Sequence, residues 1–521
     1  MAPKKQAQKS PSNAASTDAE KVQEALNHEH ILPGTLLDVD DDGNVSLGPG
    51  YAGEFPLSIM PLYPVDPQEL PFSSVTPDWS EYHKTVPNRL WPRLDPEYLS
   101  WLSRVSQAKE NHWKKHGLYE MIMLSGVEFP NDKGLLYAAS QFWSIRTNSF
   151  HFPVGMMGPT IHDICMITGL YAFGQEADAL ISCKIPDFVY PKLNKDRSYK
   201  AWVAQYCGQG DEVDDTEHVA FLIYWLNKYF FCVSSGQITQ DFTELARVLI
   251  QDVTYALAPL LLASLYRGMY HFVEKAFSFG AGPLWIVMIW LWIYFPKFGP
   301  TPRVLDDHTT FAQHYMHADN PSNTFEVCFK YFYTLGSIKK WLPYKTNNAP
   351  LDLQPLEICL GGEDPHADTV WKSILSSRDL LYGLSTNPNN HKCGVEFYNP
   401  AQLARQLGLM QSVPLPPYQS LNVDFKERPI LAMADLCKAR TESLLRRTKC
   451  VLRAFPENTG RTTWFAQWWK AYTNLAFSTS LEDVLAKIHP DQEPTKTGTT
   501  SITSSQKRKG KPDYSYPYSH L

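Results

Sequence analysis

The chain has 521 residues, 44% of them hydrophobic and 13% aromatic, so it can build a large aromatic core. Its net charge of −6 excludes a generally basic nucleic-acid binder, and any contact with phosphates requires a local basic patch. The nine cysteines form no Cys-x-x-Cys pair and no apolar secretory segment opens the chain, which argues against a disulfide-framed secreted protein. We expect an intracellular protein.

The N-terminal part of the chain lacks the pattern of a packed core. Residues 1–30 are rich in Ser, Ala, Lys and Gln, which predicts a disordered tail. Within residues 31–94, prolines recur every few positions from Phe55 onward, and such a stretch cannot hold long helices. We therefore expect an extended, proline-rich segment over the surface of the domain that follows.

One short stretch of this segment, residues 35–50, predicts a β-hairpin that turns at an Asp-Gly-Asn sequence. A calcium loop is the alternative, because Asp38, Asp40 and Asp42 match the opening of such a loop. Its twelfth position should be a bidentate Glu and is Pro49 here. The hairpin is therefore the favoured interpretation.

Helical spacing begins at Asp95, where Asp-Pro forms a cap and a first turn. From there to residue 480 the pattern is typical of one large helical domain. In the first half of this domain we predict helices over 95–105, 133–143, 160–169, 221–232, 242–253 and 257–277.

The stretch Gly282–Pro296, GPLWIVMIWLWIYFP, is apolar on every side. A helix of that kind is buried in a large core or in a membrane. Twelve residues reach roughly 18 Å, whereas the bilayer core needs about 30 Å. We therefore predict a central core helix, against which 221–232 and 257–277 pack.

The C-terminal part continues the helical pattern. We expect a helix or strand over 324–335 and helices over 399–408, 428–455 and 462–477. Residues 481–521 are polar and basic at their end, which predicts a second disordered tail. The predicted fold class is thus mainly α, a large multi-helix globular domain with minor short β-hairpins and disordered termini.

Positive charge is concentrated between residues 438 and 470, where eight Lys and Arg face two Glu. A basic stripe there could bind phosphates or a protein partner, although an ordinary solvated helix face has the same pattern. The candidate contacts are Arg440, Arg446, Arg447, Lys449 and Arg453. In the tail, a candidate nuclear-import signal comprises Lys507, Arg508, Lys509 and Lys511.

Aromatic residues also follow the basic stripe. Trp464, Trp468 and Tyr472 are spaced by four, which predicts one core-facing helix face more than a platform for stacking bases.

Two polar loops carry metal-ligand residue types. The first holds Asp306, Asp307, His308, His314 and His317, and the two last histidines would share one helix face. The second is GGEDPHAD at 361–368. A solvated loop and a turn with a helix cap are the favoured interpretations, so we expect no metal.

Sequence motifs for catalysis are absent from the chain. Neither a Gly-x-Ser-x-Gly elbow, nor a phosphate-binding Gly-rich loop with Lys, nor a His-Glu-x-x-His pair occurs. We therefore expect no enzymatic activity and no cofactor, with a cryptic transferase as a remote alternative.

Three stretches together resemble the aminotransferase-like plant mobile domain family: 147–170, two apolar helices within 257–298, and 394–417 followed by 463–472. The residues that carry this resemblance are Phe150, His151, Pro153, Gly155, Thr160, Asp163, Gly169, Trp285 and Trp290. They suit a structural role, since Thr160 with Asp163 predicts a capped helix and Gly169 its left-handed end. His151 is interpreted as a core histidine, with a catalytic role as the alternative.

The resemblance implies a biological role and no aminotransferase reaction. An aminotransferase needs a Schiff-base lysine, a phosphate cup and an α/β pattern, and none of these is visible. The family instead implies a nuclear protein in transposon silencing, genome stability and meristem maintenance, with nuclear or chromatin-associated protein partners and no membrane association. The alternatives are a transposon-derived nucleic-acid binder that uses the helix at 438–470, and a cytoplasmic location.

Overall fold

The computed structural model describes residues 37–39, 45–47, 50–51, 93–176, 191–210, 212–274, 282–303, 310–319, 321, 323–344, 365–382, 394–414, 421–422, 428, 434–435, 438, 441, 444 and 458–488. Within these ranges helices predominate, and the short strands form small separate sheets. The predicted mainly α fold with minor β-hairpins is confirmed. The predicted tail at 1–30 and residues 489–521 lie outside the described residues.

The N-terminal strands include the hairpin expected within 35–50. Strands β1 (Leu37–Val39) and β2 (Val45–Leu47) pair in antiparallel fashion. Strand β3 (Gly50–Tyr51) pairs with a C-terminal strand at Val413–Pro414. The segment before the helical domain is therefore joined to the C-terminal half of the chain.

The helical domain begins with α1 (Pro96–Lys115), whose cap is Asp95. The Asp95 carboxylate accepts a hydrogen bond from the Glu97 amide at 3.2 Å, as an N-cap does. Helices α2 (Tyr119–Leu124) and α3 (Lys133–Ser140) follow. All three contribute buried apolar side chains to the core.

An antiparallel sheet follows, in the order β4 (Trp143–Ser144), β5 (Ser149–Phe152) and β6 (Gly155–Met157). Alternation along the sequence predicts that Phe150 and Phe152 point into the core, and both are fully buried. The other residues of β5 are buried too, because a C-terminal helix covers the second face of the strand.

Helix α4 (Ile161–Thr168) has both ends fixed by local sequence. The Thr160 hydroxyl accepts a hydrogen bond from the Asp163 amide at 3.0 Å, and the Asp163 carboxylate accepts one from the Thr160 amide at 2.7 Å. These two bonds form a capping box. Gly169 ends the helix at φ 76°, a conformation that favours glycine.

The next group packs on the side of α1. It comprises α5 (Tyr199–Tyr206), α6 (Asp215–Trp225) and α7 (Thr243–Leu249). A π-helical turn at Leu226–Phe230 extends α6. The helix predicted over 221–232 thus begins earlier than expected and changes its hydrogen-bond pattern before its end.

The apolar stretch predicted as a core helix is α9 (Leu284–Tyr294), and all eleven of its residues are buried. It packs against α3, α4 and the preceding helix α8 (Leu257–Glu274). The predicted partner at 221–232 is wrong as a main neighbour, because α6 packs chiefly against α1, α5 and α7. A parallel pair, β7 (Gln175–Glu176) with β8 (Tyr255–Ala256), precedes α8.

The C-terminal half alternates short helices with one hairpin. A 3-10 helix at Phe311–Tyr315 precedes α10 (Phe325–Tyr333), so the predicted helix or strand at 324–335 is a helix. Helix α11 (Pro365–Leu375) leads into the antiparallel hairpin β9 (Arg378–Tyr382) and β10 (Gly394–Tyr398).

The last elements are a 3-10 helix at Pro400–Leu407, β11 (Val413–Pro414), α12 (Thr463–Ala476) and α13 (Leu481–Ile488). The disordered tail predicted from residue 481 is therefore wrong at its start. Val484 is 2% exposed and packs in the core, so the helical domain extends at least to the end of α13.

A lipid bilayer is about 30 Å thick in its hydrocarbon core. None of the helices in the described residues combines the length and the hydropathy needed to cross it.

A buried ion cluster joins the hairpin β9–β10 to the sheet formed by β4, β5 and β6. Glu396 in β10 is fully buried, and its carboxylate lies 2.7 Å from Nε of Arg428 and 4.0 Å from Nη1 of Arg267. The Asn148 side chain donates to the same carboxylate at 3.3 Å. Burial raises the pKa of Glu396, and the two arginines oppose that shift. The cluster thus depends on the complete set of charges.

We expect Glu396→Ala to destabilise the domain by about 3–5 kcal/mol, because Arg428 would be left buried without its carboxylate. Guanidinium unfolding measures the loss. The matched control is Glu326→Ala, which removes an exposed Glu326–Lys330 pair on α10 and should change the free energy of unfolding by about 0.5 kcal/mol or less. Equal effects of the two substitutions would contradict this role of the cluster.

Candidate functional site

A cleft of about 1030 Å³ opens at the C-terminal end of α9. Its walls come from residues 293–297 and 302–303, the 3-10 helix at Phe311–Tyr315, the end of α10 and residues 334–340 and 343. We call it the basic cleft. The buried helix α9 thus ends directly in the wall of a surface site.

Five basic side chains line the basic cleft: Lys297, Arg303, His314, Lys339 and Lys340. The lysines and the arginine are exposed to solvent. No Asp or Glu belongs to the part of the lining that the structure describes. In the described ranges the lysines and the arginine also have no carboxylate within ion-pair distance. A cleft of this charge, on a chain of net charge −6, attracts anions.

Aromatic rings form much of the remaining wall. Phe311 and Tyr331 are half-buried and keep ring surface toward the cleft. The Lys297 ammonium lies 4.8 Å from the centre of the Tyr331 ring. Burial raises the pKa of Tyr331, and it raises the pKa of Tyr315 to about 12. Both phenols are therefore neutral donors at physiological pH.

Two further arginines, Arg405 and Arg461, lie close to each other, and Arg405 is buried, so its charge is not part of the surface of the cleft. The Arg405 guanidinium lies 3.7 Å from the centre of the Trp341 ring, and Trp341 follows Lys340 directly in the chain. Burial and the charge of Arg461 lower the pKa of Arg405 to about 9. Arg461 is exposed just before α12. Neither arginine has a carboxylate partner among the described residues.

The family motif residues lie in the core and join the sheet to α9 and α12. Phe150 stacks on Trp290 with ring centres 5.5 Å apart. His151 Nε2 lies 2.8 Å from the Thr147 hydroxyl, and its Nδ1 lies 2.7 Å from the Tyr472 hydroxyl. Burial lowers the pKa of His151 to about 3. The two hydrogen bonds of His151 thus join β5 to the turn before it and to α12.

Two further motif residues, Pro153 and Gly155, are in contact with the C-terminal half. The Pro153 carbonyl accepts a hydrogen bond from the Trp469 indole at 3.2 Å. Gly155 has φ 141°, and a Cβ there would lie 2.0 Å from the Arg405 guanidinium. Trp285 in α9 stacks on Phe129.

Asp163 connects the capped helix α4 to the wall of the basic cleft. Its Oδ1 accepts hydrogen bonds from the Tyr294 hydroxyl at 3.0 Å and the Tyr344 hydroxyl at 2.6 Å. Burial raises the pKa of Asp163 to about 6, and the bonds from Thr160, Tyr344 and Tyr294 oppose that shift. Tyr294 lines the cleft, so the motif fixes the position of one of its walls.

Two of the metal candidates, His314 and His317, lie within the described residues. The 3-10 helix ends at Tyr315 and His317 has φ 54°, so the prediction that His314 and His317 share a helix face is wrong. His314 Nδ1 instead lies 2.8 Å from the Arg303 carbonyl. No group of three metal-ligand side chains occurs within the described part of the chain.

The other metal candidates lie largely outside that part. They are Asp306, Asp307 and His308 of the first loop, residues 361–364 of the second, and Asp40, Asp42 and Pro49 of the calcium-loop alternative.

The basic stripe predicted in the 428–455 helix cannot be placed either. Its contact residues lie outside the described residues, as does the candidate import signal: Arg440, Arg446, Arg447, Lys449 and Arg453, then Lys507, Arg508, Lys509 and Lys511. Of the aromatic spacing in α12, Trp468 and Tyr472 are buried as predicted. Trp464 is 46% exposed, so the prediction is wrong for this residue, and Phe465 and Trp469 complete the buried face.

Sequence reasoning missed the basic cleft because its cations come from three separate segments. One local signal was available. Residues 327–351 contain four lysines and no acidic residue, in a chain that is acidic overall. Such an imbalance marks a surface for anions even where no motif is present.

Comparisons with known proteins agree on one family. The model of the family described as plant mobile domain matches residues 117–470, more than half of the chain. No solved structure matches.

Three relatives from Arabidopsis thaliana illustrate the range. Protein MAINTENANCE OF MERISTEMS is 24% identical, over 71% of this chain and 78% of that protein. Protein MAIN-LIKE 2 is also 24% identical, over 64% of this chain and 51% of that protein. Serine/threonine-protein phosphatase 7 long form homolog is 23% identical, over 64% of this chain but only 25% of that protein. The chain belongs to the plant mobile domain family.

Proposed function

We propose that this chain is a non-enzymatic interaction protein of the nucleus that acts in transposon silencing, genome stability and meristem maintenance. We further propose that it binds an anionic macromolecule through the basic cleft. The name of one relative, MAINTENANCE OF MERISTEMS, supports the developmental part of the proposal. The observation that carries the binding part is the set of four exposed cations without carboxylate partners: Lys297, Arg303, Lys339 and Lys340.

The chemistry of the basic cleft favours binding over catalysis. Its charged side chains are cations and its phenols are neutral, so the described lining has no carboxylate to act as a general base. The name phosphatase belongs to a relative of which this chain covers a quarter.

The nuclear part of the proposal is tested with a fluorescent-protein fusion in plant cells. We expect the full chain to accumulate in the nucleus. Substitution of Lys507, Arg508, Lys509 and Lys511 by alanine should lower the nuclear-to-cytoplasmic ratio several-fold, since import receptors recognise such basic clusters.

The matched control replaces Lys192 and Lys195, two exposed lysines far along the chain from the tail, and should leave the ratio unchanged. A full-length fusion that stays in the cytosol would contradict the nuclear proposal. Affinity purification with a nuclease arm then separates protein partners from those held through nucleic acid.

A further inference from the structure

We infer that the basic cleft is a binding site for single-stranded nucleic acid. This inference rests on the proposed use of the cleft for an anionic partner and names that partner's class. It concerns a different surface from the stripe at 438–470, because none of the cations that line the cleft lies in that stretch.

The first argument is the juxtaposition of charge and rings. Proteins that bind single strands combine a positive groove for the phosphates with aromatic side chains on which the bases stack. Here the ammonium of Lys297, a lining residue, lies over the Tyr331 ring, 4.8 Å from the ring centre. Phe311 supplies a second half-buried ring in the same cleft. A nucleotide that stacks beside Tyr331 has its phosphate within reach of Lys297.

The second argument is the supply of free donors. The Lys339 and Lys340 side chains are exposed and unpaired within the described ranges, so binding a phosphate breaks no ion pair of the protein.

Two other anionic partners fit less well. A duplex keeps its bases stacked inside and offers no free base face to the rings. An acidic peptide matches the cations, but its carboxylates make no use of the aromatic wall. The single strand is the partner that uses both features of the cleft.

The experiment is fluorescence anisotropy with the full-length protein and labelled probes. The probes are an oligothymidylate and an oligouridylate of about a dozen nucleotides, the corresponding duplex, and a polyglutamate peptide of similar charge. We expect both single strands to bind more tightly than the duplex and the peptide. The comparison of the two strands tells whether DNA or RNA is preferred.

Variants locate the binding site. Lys339→Glu with Lys340→Glu should weaken single-strand binding at least tenfold and reduce the salt slope by about 1.4, the value for two lost phosphate contacts. Lys192→Glu with Lys195→Glu makes the same charge change on exposed lysines elsewhere and should weaken it less than threefold or so. Tyr331→Leu should weaken binding about 5- to 100-fold with an unchanged salt slope, since it removes stacking and keeps the charges.

Each remaining outcome overturns the inference. If both double charge reversals weaken single-strand binding equally, the strands are attracted by the overall charge of the protein and not by the basic cleft. If polyglutamate binds with the same affinity as the single strands, the partner is an acidic protein. The inference is then wrong, but the proposed binding of an anionic macromolecule stands. If the wild-type chain binds none of the probes, the basic cleft has no place in the proposed function either. The nuclear proposal is tested separately, by the fluorescent-protein fusion. Thermal melting of each variant confirms that it is folded.

Discussion

The substitution Trp290→Asp should leave the helical domain unfolded. Trp290 lies in α9 with no exposed surface, stacked on Phe150 at 5.5 Å and packed against Tyr294 at 4.7 Å. Loss of a buried Trp side chain alone costs about 3–5 kcal/mol. An unpaired carboxylate at the same place costs several kcal/mol more, and the whole stability of a domain is only about 5–15 kcal/mol.

The measurement is the thermal unfolding transition, followed by circular dichroism. Trp464→Asp is the matched control, because Trp464 is 46% exposed at the start of α12 and its replacement adds a solvated charge to a helix N-terminus. We expect the control to melt within a few degrees of the wild-type chain. A Trp290→Asp variant with a wild-type melting temperature would mean that α9 is not the centre of the core.

Elements whose signal is local could be predicted from the sequence. The apolar run between Pro283 and Pro296 determines α9, since no face of such a helix can remain in water. The helix α4 is determined by Thr160 and Asp163 at its start and Gly169 at its end. In both cases the residues that fix the element lie within one or two turns of it.

Packing partners could not be predicted in the same way. An all-apolar helix has no preferred face, so nothing in α9 shows that α3 and α4 cover it in place of the helix predicted at 221–232. The exposure of Trp464 has the same origin. Spacing by four puts Trp464 and Trp468 on one stripe, but the neighbours of α12 cover only part of that stripe.

The candidate site was less predictable than the fold. The buried motif residues have a local pattern, whereas the basic cleft is made where chain segments from Lys297 to Lys340 meet at the end of α9. Charge alone has no period that would show which lysines converge. The excess of lysine at 327–351 indicates a surface for anions, but the cleft itself can be located only after the scaffold that α9 organises is known.

Acid should unfold the domain in the range below pH 6.5 through its buried histidines. Burial lowers the pKa of His151 to about 3, that of His162 to about 4 and that of His218 to about 3. The ordinary pKa of histidine is 6.5, so below this pH the unfolded chain binds protons at these histidines and the folded chain does not. Stability is then fully present above pH 6.5 and falls as the pH decreases toward 4, by about 1.4 kcal/mol per pH unit for each histidine.

Buried carboxyls act in the opposite direction. The pKa of Asp163 is raised to about 6, so the folded chain binds its proton more readily than the unfolded chain, and this residue gains stability as the pH falls from 6 to 4. Three histidines against this carboxyl leave a net loss. Burial also raises the pKa values of Glu120, Asp132 and Glu396, which reduces the loss further at its acid end.

The variant His162→Phe isolates one of these contributions. His162 is 5% exposed and packs edge-on against the Tyr344 ring at 5.3 Å and beside Trp371 at 5.2 Å, so a phenyl ring fits the same surroundings. Guanidinium unfolding at a series of pH values should show a slope that is shallower by about 1.4 kcal/mol per pH unit between pH 6.5 and 4. At pH 8 the variant should be about as stable as the wild-type chain. If the dependence of the free energy of unfolding on pH is unchanged, His162 is in contact with solvent and does not contribute to acid unfolding.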